Sequence, residues 1–305
     1  MARVSVIIPT YNRAALLPRA IHSAQNAGND VEVVVVDDAS TDETPEVCRS
    51  IPGIRYLRLE QNANPAGARN AGLRVASAKY VALLDDDDIR LPGSFEAQLQ
   101  ALEADPEAAF VYGAALIADP VNGQLTGEIS PAECPAPDIF WRLLQSNFIP
   151  SSTVIAQKHL VQEVGLFDTT VPRVEDWMMW IRLAEQHTVA AVKHPVAIYR
   201  TFTRESGQLS SNRTAVCQVS AFAQAKGLQL PRALAAPPSQ RRRVRHRFLD
   251  GMSGMLVSEA AHALAVRNYK LAIDNYRIAL RMSALQAARP YSLRTLIYEG
   301  LLTGP

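Results

Sequence analysis

Residues 81–88 read VALLDDDD, an apolar run that stops in four consecutive aspartates. Tyr80 to Leu84 has the length and composition of a strand, and a strand buried on both faces needs no polar alternation. Asp85, Asp86, Asp87 and Asp88 then lie at its carboxyl end, the edge at which open α/β sheets bind ligands. Four clustered carboxylates repel one another, which is costly unless a cation sits among them. Hard oxygen ligands suit Mg2+ or Mn2+, ions that also bind substrate phosphates. The plainer alternative is a solvated acidic loop that caps the following helix.

Working outward, strand and helix alternate over the first hundred residues. Val4 to Ile8 reads as a strand ended by Pro9, and Leu17, Ala20, Ile21 and Ala24 recur at helical spacing. Val31 to Val36 is a second strand, ended by Asp37 and Asp38, and Thr44 with Pro45 looks like a helix start. Ile54 to Leu59 is a third strand, and residues 65–78 form a helix before the Tyr80 strand. Phe95, Leu99 and Leu102 mark a further helix, and Phe110 to Ile117 a further strand. Repeated strand–helix–strand units imply parallel strands and a nucleotide-binding type of half-fold. No GxGxxG and no GxxxxGK[ST] occurs, which disfavours a Rossmann dehydrogenase and a P-loop NTPase.

The rest of the chain bounds the answer. Its 305 residues are 48% hydrophobic, enough for a real core and more than one domain. A net charge of +1 argues against a nucleic-acid partner. Cys48, Cys134 and Cys217 are widely spaced and odd in number, which fits a reducing compartment. The N-terminal apolar run is too short for a signal peptide, and no run approaches the ~18 apolar residues of a membrane span. These points together predict a cytoplasmic protein, at most peripheral at the inner face of the membrane. Residues 118–138 read as loop with a hairpin, 139–200 mix helix and strand, and 201–213 form a polar loop. A linker is expected over Ala235 to Gln240, followed by helices. There Tyr269, Ile273, Tyr276 and Leu280 share a face, and Ala263, Tyr269, Ala272, Tyr276 and Ala279 faintly resemble one tetratricopeptide repeat.

Three strands end in polar clusters: Pro9-Thr10-Tyr11-Asn12-Arg13, Asp37-Asp38-Ala39-Ser40, and the aspartates. Parallel strands bring their carboxyl ends together, so the clusters should converge. VSVIIPTYNR, VVVVDDASTDET, ANPAGARNAG and YVALLDDDDI, followed by VEDWMMWIRL, together resemble the inverting family 2 glycosyltransferases of the GT-A fold over about residues 1–200. The resemblance implies a GT-A type α/β fold, a mostly parallel sheet flanked by helices, with a C-terminal helical extension. It implies a catalytic domain over 1–213, with a nucleotide-binding part (1–117) and an acceptor-binding part (118–213), and a helical region over 214–305.

The same resemblance implies roles. Pro9, Thr10, Tyr11 and Arg13 would line the base pocket, and Asp38 would accept from a uracil NH. Arg69 and Asn70 would lie near the nucleotide, with Gly67 and Gly72 allowing close backbone approach. The acidic motif has two registers, Asp85 with Asp87 first and Asp86 with Asp87 second. Asp87 is the expected metal ligand in both, and the other aspartate touches the ribose. Asp88 is expected to cap the next helix. Asp176 would be the general base, with Glu175 orienting it or touching the acceptor. Trp177 and Trp180 offer either a sugar platform or core aromatics. The histidine that many relatives carry after the last core strand is missing from YRTFTRESGQLS; His194 is not taken to replace it, and Arg200 or Arg204 could meet the diphosphate instead.

The implied activity is transfer of a sugar from a nucleotide donor, a UDP-sugar, to a saccharide or lipid-linked saccharide acceptor, assisted by Mn2+ or Mg2+. The alternatives are a sugar nucleotidyltransferase, whose basic glycine-rich loop VIIPTYNR lacks, and a non-catalytic scaffold built on a degenerate transferase. The run Arg241, Arg242, Arg243, Arg245 and Arg247 heads the C-terminal helices. It suits either docking to an anionic membrane or a solvated helix start, with the apolar face packed on the catalytic domain or on a second subunit in a homodimer.

Overall fold

A computed structural model describes residues 2–201 and 211–289. The chain separates into two compact units, residues 1–143 with 147–203, and residues 144–146 with 204–305.

The first unit is built on a nine-stranded sheet: β1 (Val4–Thr10), β2 (Val31–Asp37), β3 (Ile54–Arg58), β4 (Tyr80–Leu83), β5 (Ile89–Arg90), β6 (Ala108–Ala118), β7 (Leu125–Ser130), β8 (Ile155–Gln157) and β9 (Thr188–Arg200). The spatial order is β3-β2-β1-β4-β8-β6-β9-β5, with β7 on β6. The first four strands in that order are parallel. β8 then pairs antiparallel with both β4 and β6, so the strand expected at Phe110 does not simply extend the parallel run. β9 lies parallel to β6, and the two-residue β5 pairs antiparallel with its far end.

Strand β1 runs through Pro9 rather than ending there. The Ile7 carbonyl accepts from Leu84 N at 3.1 Å, and Pro9 faces the same way, two residues beyond the last β1–β4 pair. Its missing N–H therefore leaves no ladder bond unmade. Helices α1 (Leu17–Gln25), α2 (Thr44–Ser50), α3 (Asn64–Val75), α4 (Ser94–Ala104), α5 (Phe140–Leu143), α6 (Lys158–Glu163) and α7 (Glu175–Gln186) complete the unit. Val4, Val6, Ile8, Val33 and Val35 pack with Leu17, Ile21, Phe95 and Leu99 in its core. Trp177 and Trp180 belong to the core as well: each is 1% exposed, and Trp180 lies 5.1 Å from the Phe110 ring. They are core aromatics and not a sugar platform.

The second unit is helical: α8 (Arg213–Gly227), α9 (Pro231–Ala235), α10 (Pro238–Ala265), α11 (Tyr269–Met282) and α12 (Ala284–Ala287). The expected linker shrinks to the joint Ala236–Pro237, because Pro238 is already helical. Cys217, Leu256, Val257, Ala279 and Ala287 form its core. On α11 the buried face is Ala272, Asn275 and Ala279, while Tyr269, Ile273 and Leu280 are exposed. Small side chains let α11 lie close to α10, where Ser253 Oγ donates to the Ala279 carbonyl at 3.1 Å.

Candidate active site

The ends of β1 and β2 are stitched into one surface. Asp38 N donates to the Thr10 carbonyl at 2.9 Å, Asn12 N to Ser40 Oγ at 2.9 Å, and Thr41 N to Asn12 Oδ1 at 2.7 Å. Asn12 and Ala39 take positive φ to make these turns (54° and 67°), as do Asn64 at the start of α3 (61°) and Arg173 just before α7 (75°). Such backbone is costly for residues with a Cβ and tends to gather at functional sites. Tyr11 stands out from this surface, 46% exposed at the edge beside Thr10.

The two aspartates after β2 differ. Asp37 is wholly buried and accepts from Ser40 N, Tyr56 Oη and Arg58 Nη1. Asp38 accepts from Ala63 N at 2.6 Å, holding the start of α3, and burial raises its pKa against that bond. Next on α3, Asn70 uses both ends of its amide on the Phe167 backbone, at 2.9 and 2.8 Å. These bonds fix α3 against the Phe167 backbone. Of the two α3 glycines expected to allow close backbone approach, Gly72 packs on the sheet, where a Cβ would meet Ile7 Cγ2 at 2.5 Å, and Gly67 lies against Ala63.

The four aspartates have four different settings. Asp85 accepts from Arg69 Nη2 at 2.7 Å and from Ser151 Oγ at 3.0 Å. Asp86 accepts from Thr10 Oγ1 at 2.7 Å, and burial followed by repulsion from Asp87 pushes its pKa up to about 7. Asp87 lies 3.9 Å from Arg13 Nη1. Asp88 is 2% exposed and accepts from Ser152 Oγ at 2.5 Å and Arg200 N at 2.9 Å. It caps no helix: α4 begins at Ser94, behind Gly93 at φ 70°. Its chain direction reverses into β5, so the carboxylate turns inward and ties β9 and the Ser151–Thr153 turn to the acidic loop. Burial, and then Asp87, raise its pKa well above the usual range.

Arg69 joins this loop to α7. It is 5% exposed, with Nη2 on Asp85 and Nη1 on Glu175 Oε1 at 2.5 Å. One guanidinium between two carboxylates is a short, charge-assisted strut. Glu175 is buried, and its Oε2 has no hydrogen-bond partner among the described residues. Asp176, half-buried beside it, has its pKa pushed up to about 7 by burial and by Glu175, with Arg69 opposing. A carboxylate poised there can take a proton near neutral pH.

Three residues of this centre escaped the sequence reading. Ser151 and Ser152 clamp the aspartate loop, and Ser152 Oγ also accepts from Asp85 N at 3.1 Å. They sit in an irregular stretch, IPSST, where no periodicity singles them out. Tyr199, near the end of β9, feels Asp88, Asp85, Asp87 and Asp176 together; burial first and these charges second raise its pKa. The sequence marks it only as a β residue. Arg200 turns its guanidinium to the Pro120 carbonyl at 2.7 Å, His194 is exposed, and Arg204 lies outside the described residues. Among the described residues no three His, Cys, Asp or Glu are grouped to hold a metal ion.

Acidic strand end, buried strut and acid pair occur in a chain whose residues 5–153 match the profile of "Glycosyl transferase family 2". An uncharacterized glycosyltransferase of Haemophilus influenzae is 31% identical over 216 residues, 69% of this chain and 72% of that protein. The chain belongs to glycosyltransferase family 2. A second family 2 relative, the GalNAc(5)-diNAcBac-PP-undecaprenol beta-1,3-glucosyltransferase of Campylobacter jejuni, is 31% identical over 70% of each chain. Among solved structures, S. aureus TarS 1-349 in complex with UDP matches 91% of this chain with a TM-score of 0.57 at 19% identity. The same fragment in complex with UDP-GlcNAc matches equally, with a TM-score of 0.57. The fold is thus the GT-A fold, and the protein is an enzyme that transfers sugars. The nucleotidyltransferase and scaffold alternatives give way to that assignment. Among the described residues no helix is long and apolar enough to cross a membrane.

Proposed function

We propose that this glycosyltransferase moves a sugar from a UDP-sugar to a hydroxyl of a saccharide or lipid-linked saccharide, in polysaccharide or glycoconjugate synthesis, with inversion at the anomeric carbon. The observation that carries this is the Arg69 strut: one guanidinium spans from Asp85, in the acidic loop, to Glu175, beside Asp176. A donor diphosphate at the loop and an acceptor at the acid pair would therefore meet across a few ångströms. The Campylobacter relative supports a lipid-linked acceptor, and the TarS complexes support a uridine nucleotide.

Asp176 is the base. It takes the acceptor proton as that oxygen attacks the anomeric carbon, while the carbon–phosphate oxygen bond breaks and UDP leaves with the bonding electrons. Arg69 fixes the neighbouring Glu175 at the start of α7, and Trp177 N donates to Asp176 Oδ1 at 2.6 Å. Single displacement needs one base and no carboxylate nucleophile behind the sugar. Tyr11, with Pro9, Thr10, Arg13 and Asp38, forms the base pocket; its exposed ring offers a stacking face. Residues 1–117 hold the donor and 118–213 the acceptor.

The donor set fits a hard divalent cation. Asp86 and Asp88 have raised pKa values in part because Asp87 repels them, and a cation relieves that repulsion. Mn2+ or Mg2+ would be held by Asp87, with Asp85 as second ligand, the remaining positions going to water and phosphate oxygens. When bound, it neutralises charge that develops on the leaving diphosphate.

The test is a panel of nucleotide sugars scored by Mn2+-dependent thermal shift, followed by NMR of the product. UDP-sugars should raise the melting temperature above other nucleotide sugars, and the product anomer should be opposite to the donor's. A retained anomer would overturn the mechanism.

A further inference from the structure

The second unit carries a cationic surface that sugar transfer does not use. Arg241, Arg242, Arg243, Arg245, His246 and Arg247 fall within the first three turns of α10. Val244 and Phe248 are buried and mark the inward side. Arg242, Arg243, Arg245, His246 and Arg247 are all exposed. At 3.6 residues per turn they sweep an arc of roughly 200°. No Asp or Glu occurs from Pro231 to Phe248.

Elsewhere in this unit several cations have acids beside them. On α11, Lys270 and Arg277 each lie 4.0 Å from Asp274, the ordinary pattern of a solvated helix. Arg213 on α8 lies 3.6 Å from Glu259. Among the described residues Arg242, Arg243 and Arg245 have no such partner. The first turn of α10, Pro238 to Arg241, at the electropositive end of the helix, holds no acid either. A dense set of arginines with no acid between them in sequence is relieved by an external anion.

The residue types narrow that anion. All the strong cations from 231 to 250 are arginine, whose planar guanidinium matches phosphate in a bidentate way that lysine does not. Phe248, the one Phe, Tyr or Trp in this stretch, is buried, so there is no platform on which bases could stack. Leu234, 48% exposed in α9 just ahead of the run, offers an apolar contact instead.

We propose that this face of α10 docks the enzyme on the phosphates of an anionic lipid bilayer. The inference rests on the lipid-linked acceptor proposed above, because such an acceptor is confined to a membrane surface. Docking would turn the search for it into a search in two dimensions.

The full chain is sedimented with vesicles of phosphatidylcholine alone or with one-third phosphatidylglycerol. It should bind the anionic vesicles only, and less at physiological salt, where screening acts within about 8 Å. Each basic residue multiplies such binding about fivefold, so R242Q/R243Q/R245Q should lose roughly 100-fold. K270Q on α11 should bind as the parent does. Mn2+-dependent UDP binding, followed by calorimetry, should be equal in all of them, which separates lost docking from lost folding. Equal binding to both vesicles, an unaffected triple variant, or tighter binding to an oligonucleotide than to anionic vesicles would overturn the proposal. Vesicle binding without UDP binding would instead strike the donor reading and leave docking in place.

Discussion

Neighbouring aspartates acquire separate roles from separate partners. Asp87 faces Arg13 at 3.9 Å, whereas Asp88 is closed in by Ser152 and Arg200. Asp87→Ala should therefore abolish metal-dependent UDP binding with little change in melting temperature. Asp88→Ala leaves a buried hydroxyl and a buried N–H without their acceptor, which costs ~1–3 kcal/mol each at most. Its signature is a lower melting temperature, and calorimetry with UDP and Mn2+ set against thermal melts separates the two. Unchanged UDP–Mn2+ binding in Asp87→Ala would remove that residue from the metal site. Asp176→Asn keeps shape and loses basicity. It should hold UDP normally and lose about 10²–10⁴-fold in turnover. Turnover of the parent should rise with pH through about 7, as the carboxyl raised to that value gives up its proton. That limb should vanish in Asp176→Asn, and near-full turnover in this variant would mean that the base is elsewhere.

At the scale of elements, the site depends on how closely α3 lies on the sheet. Gly72 lets the helix touch Ile7 and Val36, where a Cβ would come within 2.5 Å of one and 3.2 Å of the other. Both neighbours are branched and wholly buried, so neither can swing away. Gly72→Ala should cost ~1–3 kcal/mol of stability by overpacking, despite the better helix propensity of alanine. Since α3 carries Arg69 and Asn70, UDP affinity should fall with it; a denaturant melt as stable as the parent's would show that α3 can shift freely. The same helix marks what the sequence could disclose. Its composition located the element and its glycines, but periodicity cannot tell backbone approach to a ligand from approach to a strand. The family resemblance singles out Arg69, whereas its pairing with two carboxylates, sixteen and 106 positions away, follows only from the fold. β8 was missed for a related reason: three residues inserted antiparallel between β4 and β6 leave no pattern long enough to read.

For the whole molecule, the acid cluster sets how stability responds to pH. Parallel strand ends and the family motifs made the position of this cluster legible from sequence. Its protonation was not, because that depends on burial by Ser152, Arg200 and α7. In the folded protein Asp86 and Asp176 are raised to about 7, and Asp88 well above its ordinary value of 3.8, in each case chiefly by burial. The unfolded chain releases these protons near pH 4, whereas the folded chain keeps those of Asp86 and Asp176 to about pH 7 and holds that of Asp88 well above its ordinary range. The folded form thus binds more protons across this window, and its stability must fall as pH rises through it, by about 1.4 kcal/mol per pH unit for each retained proton. Glu32 and Asp42 are lowered instead, so their contribution is lost only on further acidification. Without divalent cations, stability should be greatest near pH 4 and decline toward pH 7.5. Asp88→Asn carries no titrating proton and should be measurably less steep, while UDP with Mn2+ should flatten the decline in the parent by neutralising the same carboxylates. Urea unfolding at pH 5, 6 and 7 with and without chelator measures all three. Stability that rises over this range would show that the aspartates are ionised in the folded protein and that neighbouring cations, not burial, govern the cluster.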